Sequence, residues 1–279
     1  MKLRTLLFSA ILIISADISS SQVISIMTYN IRYDTRDNEP NTWTNRKDYL
    51  GKQLQFFEPD IFGIQEGLHH QVQYLDSIMP EYNYAGIGRD DGKEKGEYSA
   101  IFYNTEKFEI LDNSTFWLSE TIDKPSVGWD ASMERICTYG LFQSKESGEK
   151  IWVFNTHFDH RGVEARKNSA RLIVEQISAI NTGNYPVVFM GDLNLTPDSE
   201  AILYLSGILN DTRDSAIKVS FGPKGTSNGF NFEKPVTKRI DYIFTSRTGI
   251  QVNKFAILSE SFELRYPSDH FPVYVEIEF

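Results

Sequence analysis

Four apolar runs in this sequence each stop at a side chain that binds metal ions or moves protons. Val23–Tyr29 runs into Asn30, and Asp60–Gln65 delivers Glu66. Ile151–Thr156 delivers His157, with Asp159 two positions on, and Pro186–Met190 delivers Gly191, Asp192 and Asn194. Each run has the length and residue content of a strand. Two further sites have the reverse polarity: Asp241 lies at the start of the predicted strand Ile240–Thr245, and Asp269 and His270 open Phe271–Phe279. If these two strands lie antiparallel to the first four, all six polar clusters meet at one edge of the sheets. Strand ends are rigid enough to position reacting groups there.

Ser99–Tyr103 and Arg135–Gln143 complete the predicted strands. Helical spacing fills the intervals. Trp43, Leu50, Leu54 and Phe57 share one helix side, and so do Ala170, Ile173, Ile177 and Ile180 within Val163–Ile180. Interleaved helices and strands point to a layered α/β domain. A chain of 279 residues, 41% apolar, is long enough to bury one large core. No repeat or linker divides it, and Phe221–Phe230 reads as a turn-rich surface loop. Cys137 is the only cysteine, so no internal disulfide forms; its apolar surroundings mark it as a core thiol.

At the N-terminus, Lys2 and Arg4 precede the apolar stretch Leu6–Ala16. That stretch is shorter than the ~20 residues a membrane-spanning helix needs. Small residues follow, through Ser21, in the pattern of an export signal. The expected organisation is a signal peptide over 1–21 and a catalytic domain over 22–279. The mature chain is expected to be exported, periplasmic or secreted, with no membrane-spanning segment.

The side-chain chemistry narrows the reaction. Carboxylates and amides without thiolates favour Mg²⁺ or Mn²⁺. Five histidines and no H-E-x-x-H motif argue against catalytic zinc. Neither a Walker nor a dinucleotide glycine loop is present, and no G-x-S-x-G serine elbow is expected. Metal-assisted hydrolysis with a His–Asp pair remains, and phosphate esters suit it because negative charge must be neutralised throughout. The formal charge of −10 argues against a basic stripe tracking a long polyanion, although bound divalent ions reverse the field locally. Arg135 is either a phosphate-binding fork or a strand-edge charge. Asp159 either binds metal or substrate, or makes an Asx turn before the helix. Trp43, Trp117, Trp129 and Trp152 either stack on a base or pack the core, and Lys93–Glu97 reads as a solvated mixed-charge loop.

Taken in order, Thr28-Tyr29-Asn30, Gln65-Glu66, Asn155-Thr156-His157, Gly191-Asp192-Leu193-Asn194, Arg239-Ile240-Asp241-Tyr242 and Ser268-Asp269-His270 resemble the motifs of the endonuclease/exonuclease/phosphatase superfamily. The resemblance covers essentially all of 22–279. Trp129–Arg135 with Thr138 is similar to an exported bacterial branch near the deadenylase-like group.

The resemblance implies a four-layer α/β/β/α sandwich of two mostly antiparallel sheets flanked by helices. It implies Mg²⁺ or Mn²⁺ as cofactor, with Glu66 as principal ligand and Asn30 and Asp269 nearby. Asp192 would orient or deprotonate the attacking water, with Asn194 holding water and phosphate. Asp241 would orient His270, a general base or phosphate-stabilising imidazole. His157 would contact phosphate or protonate the leaving oxygen, and Arg135 would bind phosphate. The expected activity is an exported phosphodiesterase on nucleic acid or a nucleotide. The alternatives are a phosphatase or phospholipase-C-like enzyme on inositol phosphates or phospholipid headgroups, and an inactive binding protein of the same fold. No protein partner is indicated. Specificity would lie in Tyr33–Asn45, Asp90–Tyr98, Leu118–Glu134 and Phe221–Pro235.

Overall fold

The computed structural model describes residues 22–36 and 39–279. The predicted signal peptide, 1–21, lies outside the described residues.

The chain folds into two six-stranded sheets packed face to face. The first has the order β11 (Gln251–Ile257), β12 (Val273–Glu278), β1 (Val23–Asn30), β2 (Ile61–Gln65), β4 (Ile101–Asn104), β3 (Tyr82–Ala85). The second has the order β5 (Phe108–Trp117), β6 (Ile136–Ser144), β7 (Lys150–His157), β8 (Val187–Asp192), β10 (Asp241–Thr245), β9 (Asn210–Asp211). Each sheet has one parallel pair, β1–β2 or β7–β8, and is otherwise antiparallel. The reversed strands lie as the sequence requires: β12 runs antiparallel to β1, and β10 to β8. The ends of both parallel pairs therefore meet the starts of β10 and β12 at one end of the sandwich.

Three apolar layers hold this arrangement. Ile24, Ile26, Val153, Val188, Met190, Val273 and Val275 fill the space between the sheets. On the outer side of the first sheet, Met27, Tyr29, Phe62 and Ile64 pack on Leu50 and Leu54 of α1 (Trp43–Phe57) and on Val72 and Leu75 of α2 (His69–Ile78). On the outer side of the second, Trp152, Phe154, Phe189 and Phe244 pack on Ile173 of α3 (Val163–Ile180) and Leu205 of α4 (Glu200–Ile208). A short α5 (Thr212–Ser215) follows β9. No helix among the described residues is long and apolar enough to cross a membrane.

Side chains alternate faces along a strand, and the inward rows explain where the site falls. In β1 the row of Ile24 and Ile26 continues into Thr28 and Asn30; in β7 that of Ile151 and Val153 continues into Asn155 and His157. Val188 and Met190 lead to Asp192 in β8, while Asp241 precedes Ile243 in β10. Each row is apolar in the middle of the sandwich and polar at one end. Just beneath that end the sheets are joined by side-chain amides. Gln65 Nε2 donates to Asn155 Oδ1 at 2.7 Å and to Thr28 Oγ1 at 3.0 Å. Asn155 Nδ2 donates to the carbonyls of Ile64 and Ala100, both at 2.9 Å. Gly63 makes room for this crossing, since a Cβ there would lie 2.6 Å from the Asn155 side chain.

Several elements escape a reading by apolar runs. Strand β5 is an edge strand with a mostly exposed middle, so Asp112, Asn113 and Ser114 occupy it without penalty. Strands β3 and β11 are the edges of the first sheet. The predicted strand Phe271–Phe279 begins later, at Val273, because Pro272 has no N–H to give a ladder.

Gly191 is a tight point of the scaffold, where β8 packs beside β7. Its φ is +146°, and a Cβ there would lie 2.0 Å from the Thr156 carbonyl oxygen. Gly191→Ala is expected to lower stability by about 2–4 kcal/mol, read as a drop in the urea midpoint. An unchanged midpoint would mean that β8 can move off β7 freely.

Candidate active site

Asn30, at the end of β1, donates from Nδ2 to Glu66 Oε1 at 3.0 Å and to Asp192 Oδ2 at 2.9 Å. Its Oδ1 accepts the Arg32 N–H at 3.0 Å. Asn30 was expected beside the metal as a ligand. Its nitrogen faces the carboxylates instead, and an amide N–H₂ has no lone pair for a cation. Glu66 follows β2 at φ +63° and Asn194 follows β8 at φ +51°, both in the left-handed region that non-glycine residues rarely occupy. The Asn194 N–H donates to Asp192 Oδ1 at 2.9 Å.

His270 Nδ1 lies 2.9 Å from Asp241 Oδ2 and 3.1 Å from Oδ1, which leaves Nε2 for the cleft. Asn194 Nδ2 lies 3.0 Å from His157 Nε2 and donates to the Phe158 carbonyl at 3.1 Å. Nε2 of His157 is therefore an acceptor, and the proton of the neutral ring sits on Nδ1. That buried Nδ1 has no hydrogen-bond partner and lies 3.8 Å from Glu97 Oε2.

Glu66, Asp192, Asn194, His157, Asp269 and His270 line one cleft of about 540 Å³, together with Arg32, Arg89, Arg135, His160 and Lys238, and Asn30 and Asp241 hold them from behind. Arg135 lies 3.4 Å from Asp159 through Nε and 3.0 Å from His160 Nδ1 through Nη2, while its buried Nη1 has no partner. The free Nη1 makes Arg135 a phosphate-binding candidate rather than a strand-edge charge. Asp159 itself does not line the cleft. Its Oδ1 accepts the N–H groups of Arg161 and Gly162, and Oδ2 accepts the N–H and hydroxyl of Ser132. The Asx turn is what the structure shows, and Asp159 touches the site only through Arg135.

Charge is concentrated here. Burial, then the Asp241 charge, pushes the Asp192 carboxyl up to about 7, against His270 and the Asn30 amide. Burial also raises Asp269; His270 opposes this and the Glu66 charge adds to it. Burial would raise Glu66 as well, but Arg32, the Asn30 amide and His270 carry it below its ordinary value. Burial disfavours charge on His270, yet Asp241 and Asp192 hold its pKa well above the usual imidazole value. His157 goes the other way: burial, then Arg135 and Arg89, push it well below, so it stays neutral.

The donor set fits a hard divalent cation. Glu66, Asp192 and His157 each bring one ligand atom within 4.8 Å of the others, and burial, with repulsion from neighbouring carboxylates added to it, drives Asp192 and Asp269 upward. An ion there relieves that repulsion, and oxygen-rich donors suit Mg²⁺ or Mn²⁺. The geometry groups Glu66 with Asp192 and His157, whereas Asp269 lies on the Arg32 side, 3.6 Å from Nε.

The cleft also contains residues that strand patterns do not reveal. Arg32, Arg89, Glu97, His160 and Lys238 all lie in loops. Glu97 is not solvated as its loop suggests. It takes both Arg89 Nη groups, at 2.7 and 2.8 Å, and its side chain is only 15% exposed. A G-x-S-x-G spacing does occur, as Gly225–Gly229, but Ser227 sits in a loop bridged to His270, with no strand before it or helix after it. Trp43, Trp117 and Trp152 are buried and unavailable for stacking.

Residues 27–270 match the Endonuclease/Exonuclease/phosphatase family. A crystal structure of a family member from Bacteroides thetaiotaomicron superposes with a TM-score of 0.90 at 37% identity, covering 93% of this chain and 99% of that one. A mannosyl-6-phosphatase from the same species superposes at 0.89 with 38% identity, covering 92% and 100%. Among curated proteins, the Ccr4 exoribonuclease subunit of the CCR4-Not complex from Mycosarcoma maydis is 20% identical over 92% of this chain, and the chain spans 50% of that protein's length. The last match agrees with the deadenylase-like branch read from the motifs.

Donors surround the Asp159 carboxylate. Burial opposes its charge, yet the Gly162 N–H and the Ser132 hydroxyl lead a set of donors that hold its carboxyl well below the ordinary range. With the unfolded value near ~3.9, Asp159 adds stability that is complete above that value and is lost as pH falls below it. Asp159→Asn should cost about 1–3 kcal/mol in urea unfolding at neutral pH, and the deficit should shrink as pH drops below about 4. A deficit independent of pH would show that the charge contributes nothing.

Proposed function

The chain belongs to the endonuclease/exonuclease/phosphatase family and is a phosphoester hydrolase, and on that premise we propose that its substrate is a small phosphorylated sugar carrying a phosphate monoester. The observation that carries this reading is the cleft. It has the volume of a small-molecule site, and cationic side chains stand among its carboxylates, in a chain whose net charge is −10. A monoester dianion needs local positive charge at one point, whereas a polynucleotide needs it along a track. The 38% identical mannosyl-6-phosphatase supports the monoester over the diester that the sequence puts first, and supports a sugar as the leaving group.

Glu66 would hold the divalent ion, with Asp192 within reach of it. A bound ion supplies neutralisation of phosphoryl charge and polarisation of the P–O bonds. Around it the chain's own groups divide the work. Arg135 Nη1 and Lys238 take phosphate oxygens. Asp192, braced by Asn30 and the Asn194 N–H, accepts the proton of the attacking water. With Nδ1 on Asp241 and its pKa raised, His270 is a cation that donates from Nε2 to the phosphoryl group rather than a base. Neutral His157 turns Nε2 toward Asp192, at 3.5 Å, where it accepts the Asn194 amide and keeps that amide in place. We also propose export, on the Lys2, Arg4 and Leu6–Ala16 pattern; N-terminal sequencing of the processed protein should begin at Gln22.

The whole protein, stripped of metal and then given Mg²⁺ or Mn²⁺, should release phosphate from mannose 6-phosphate and an aryl phosphomonoester at least ~10-fold faster than it cleaves an aryl diester. Chelator should abolish both. Asp192→Asn and His270→Ala should each lower kcat by about 100-fold or more while leaving the thermal midpoint near that of the parent. Faster diester cleavage would return the assignment to a phosphodiesterase.

A further inference from the structure

Glu66 turns its two carboxylate oxygens to different neighbours. Oε1 accepts the Asn30 amide that also holds Asp192. Oε2 accepts the Tyr33 N–H at 3.2 Å and Nη1 of Arg32 at 3.4 Å. The same guanidinium lies 3.6 Å from Asp269 Oδ2 through Nε, which is buried and makes no hydrogen bond. Arg32 thus stands between two carboxylates on the side of Glu66 away from Asp192.

We propose that Arg32 replaces a second divalent ion, so that this centre binds one metal, on the Asp192 side of Glu66, with the guanidinium as the fixed cation between Glu66 and Asp269.

The backbone argues for the same assignment independently. Arg32 has φ +56°, a conformation that costs an L-residue roughly 1–2 kcal/mol and persists only where its surroundings impose it. They do so from several sides. Its N–H is taken by Asn30 Oδ1, and its carbonyl accepts Gln71 Nε2 at 3.0 Å and a short hydrogen bond from Arg46. Arg46 is itself buried and also donates to the carbonyls of Ile31 and Pro267, the latter two positions before Asp269. The Arg32 guanidinium then stacks on Tyr33, 4.5 Å from the ring centroid. The turn is therefore held in a shape that places this cation beside Glu66 and Asp269.

A magnesium ion demands oxygens at about 2.0–2.1 Å on all sides. A guanidinium bonded to one carboxylate and paired with the other leaves no such space, and unlike an ion it is never released, because arginine stays protonated. The inference rests on the metal centre and not on the choice of substrate, so hydrolysis assays and the test below fail or succeed separately.

The test counts ions. The whole metal-free protein is titrated with Mn²⁺, with heat followed by calorimetry and free Mn²⁺ followed by its electron paramagnetic resonance signal. The parent should bind one Mn²⁺ per chain. Arg32→Met, which keeps the length and loses the charge, should bind two, the second showing as a new step or as spin coupling between the ions. Arg32→Lys should stay at one. Two ions in the parent overturn the proposal, and so does a single ion in folded Arg32→Met. Arg32→Gln answers the same question if the methionine variant does not fold.

Discussion

The amide nitrogen of Asn30 joins two carboxylates that belong to different sheets. Glu66 comes from the first sheet and Asp192 from the second, with ligand atoms within 4.8 Å. Two negative charges at that separation repel by roughly 3–4 kcal/mol at an effective dielectric of 20. The pair exists because each acid is anchored elsewhere. Sheet-on-sheet packing of Ile24, Ile26, Val188 and Met190 sets the spacing, and the Gln65–Asn155 amide crossing fixes how the two strand ends face each other. Asn30 then supplies the two N–H groups that make the approach tolerable. The positions of His157, Asn194 and His270 follow from that frame.

Much of this was legible because a strand carries its own direction. A run that is apolar until its final residue places that residue at an end of a sheet. The opposite polarity at Asp241 and Asp269 required antiparallel partners, and the β8–β10 and β1–β12 ladders provide them. The inward row is a stronger signal than the run itself. In β7, Ile151, Val153, Asn155 and His157 share one face, so the switch from apolar to polar along that row locates the mouth of the sandwich. What a row cannot convey is which atom of a side chain faces the chemistry. Asn30 belongs to the site as expected, yet it offers a donor, because its oxygen is committed to the Arg32 N–H.

The rest of the site was illegible for a physical reason. Arg32, Arg89, Glu97, His160 and Lys238 sit in loops, where neither periodicity nor apolar content constrains a residue. Glu97 shows the problem. In sequence it closes a run of alternating charges, the usual signature of solvent exposure. In the fold the chain doubles back at Gly88–Tyr98, and Arg89 pairs with Glu97 through both Nη groups beside His157. Asp159 shows the converse. Its position two residues after His157 left a ligand and an Asx turn both open, and four donors from its own loop and from Ser132 decide for the turn.

The charges in the cleft are what favour the proposed sugar-phosphate substrate. Arg89 is committed to Glu97, and Arg32 is committed to Glu66 and Asp269. Asp159 holds Arg135 by one edge and leaves Nη1 uncommitted, while Lys238 has no carboxylate partner among the described residues. Arg135, Lys238 and the carboxylates that could hold a metal ion therefore line one cleft in an acidic molecule. The chain as a whole carries a formal charge of −10, which does not favour a ligand with many further phosphates. A ligand with one dianionic group and a neutral polar remainder experiences only the attraction. A phosphorylated sugar has that shape of charge, and a polynucleotide does not.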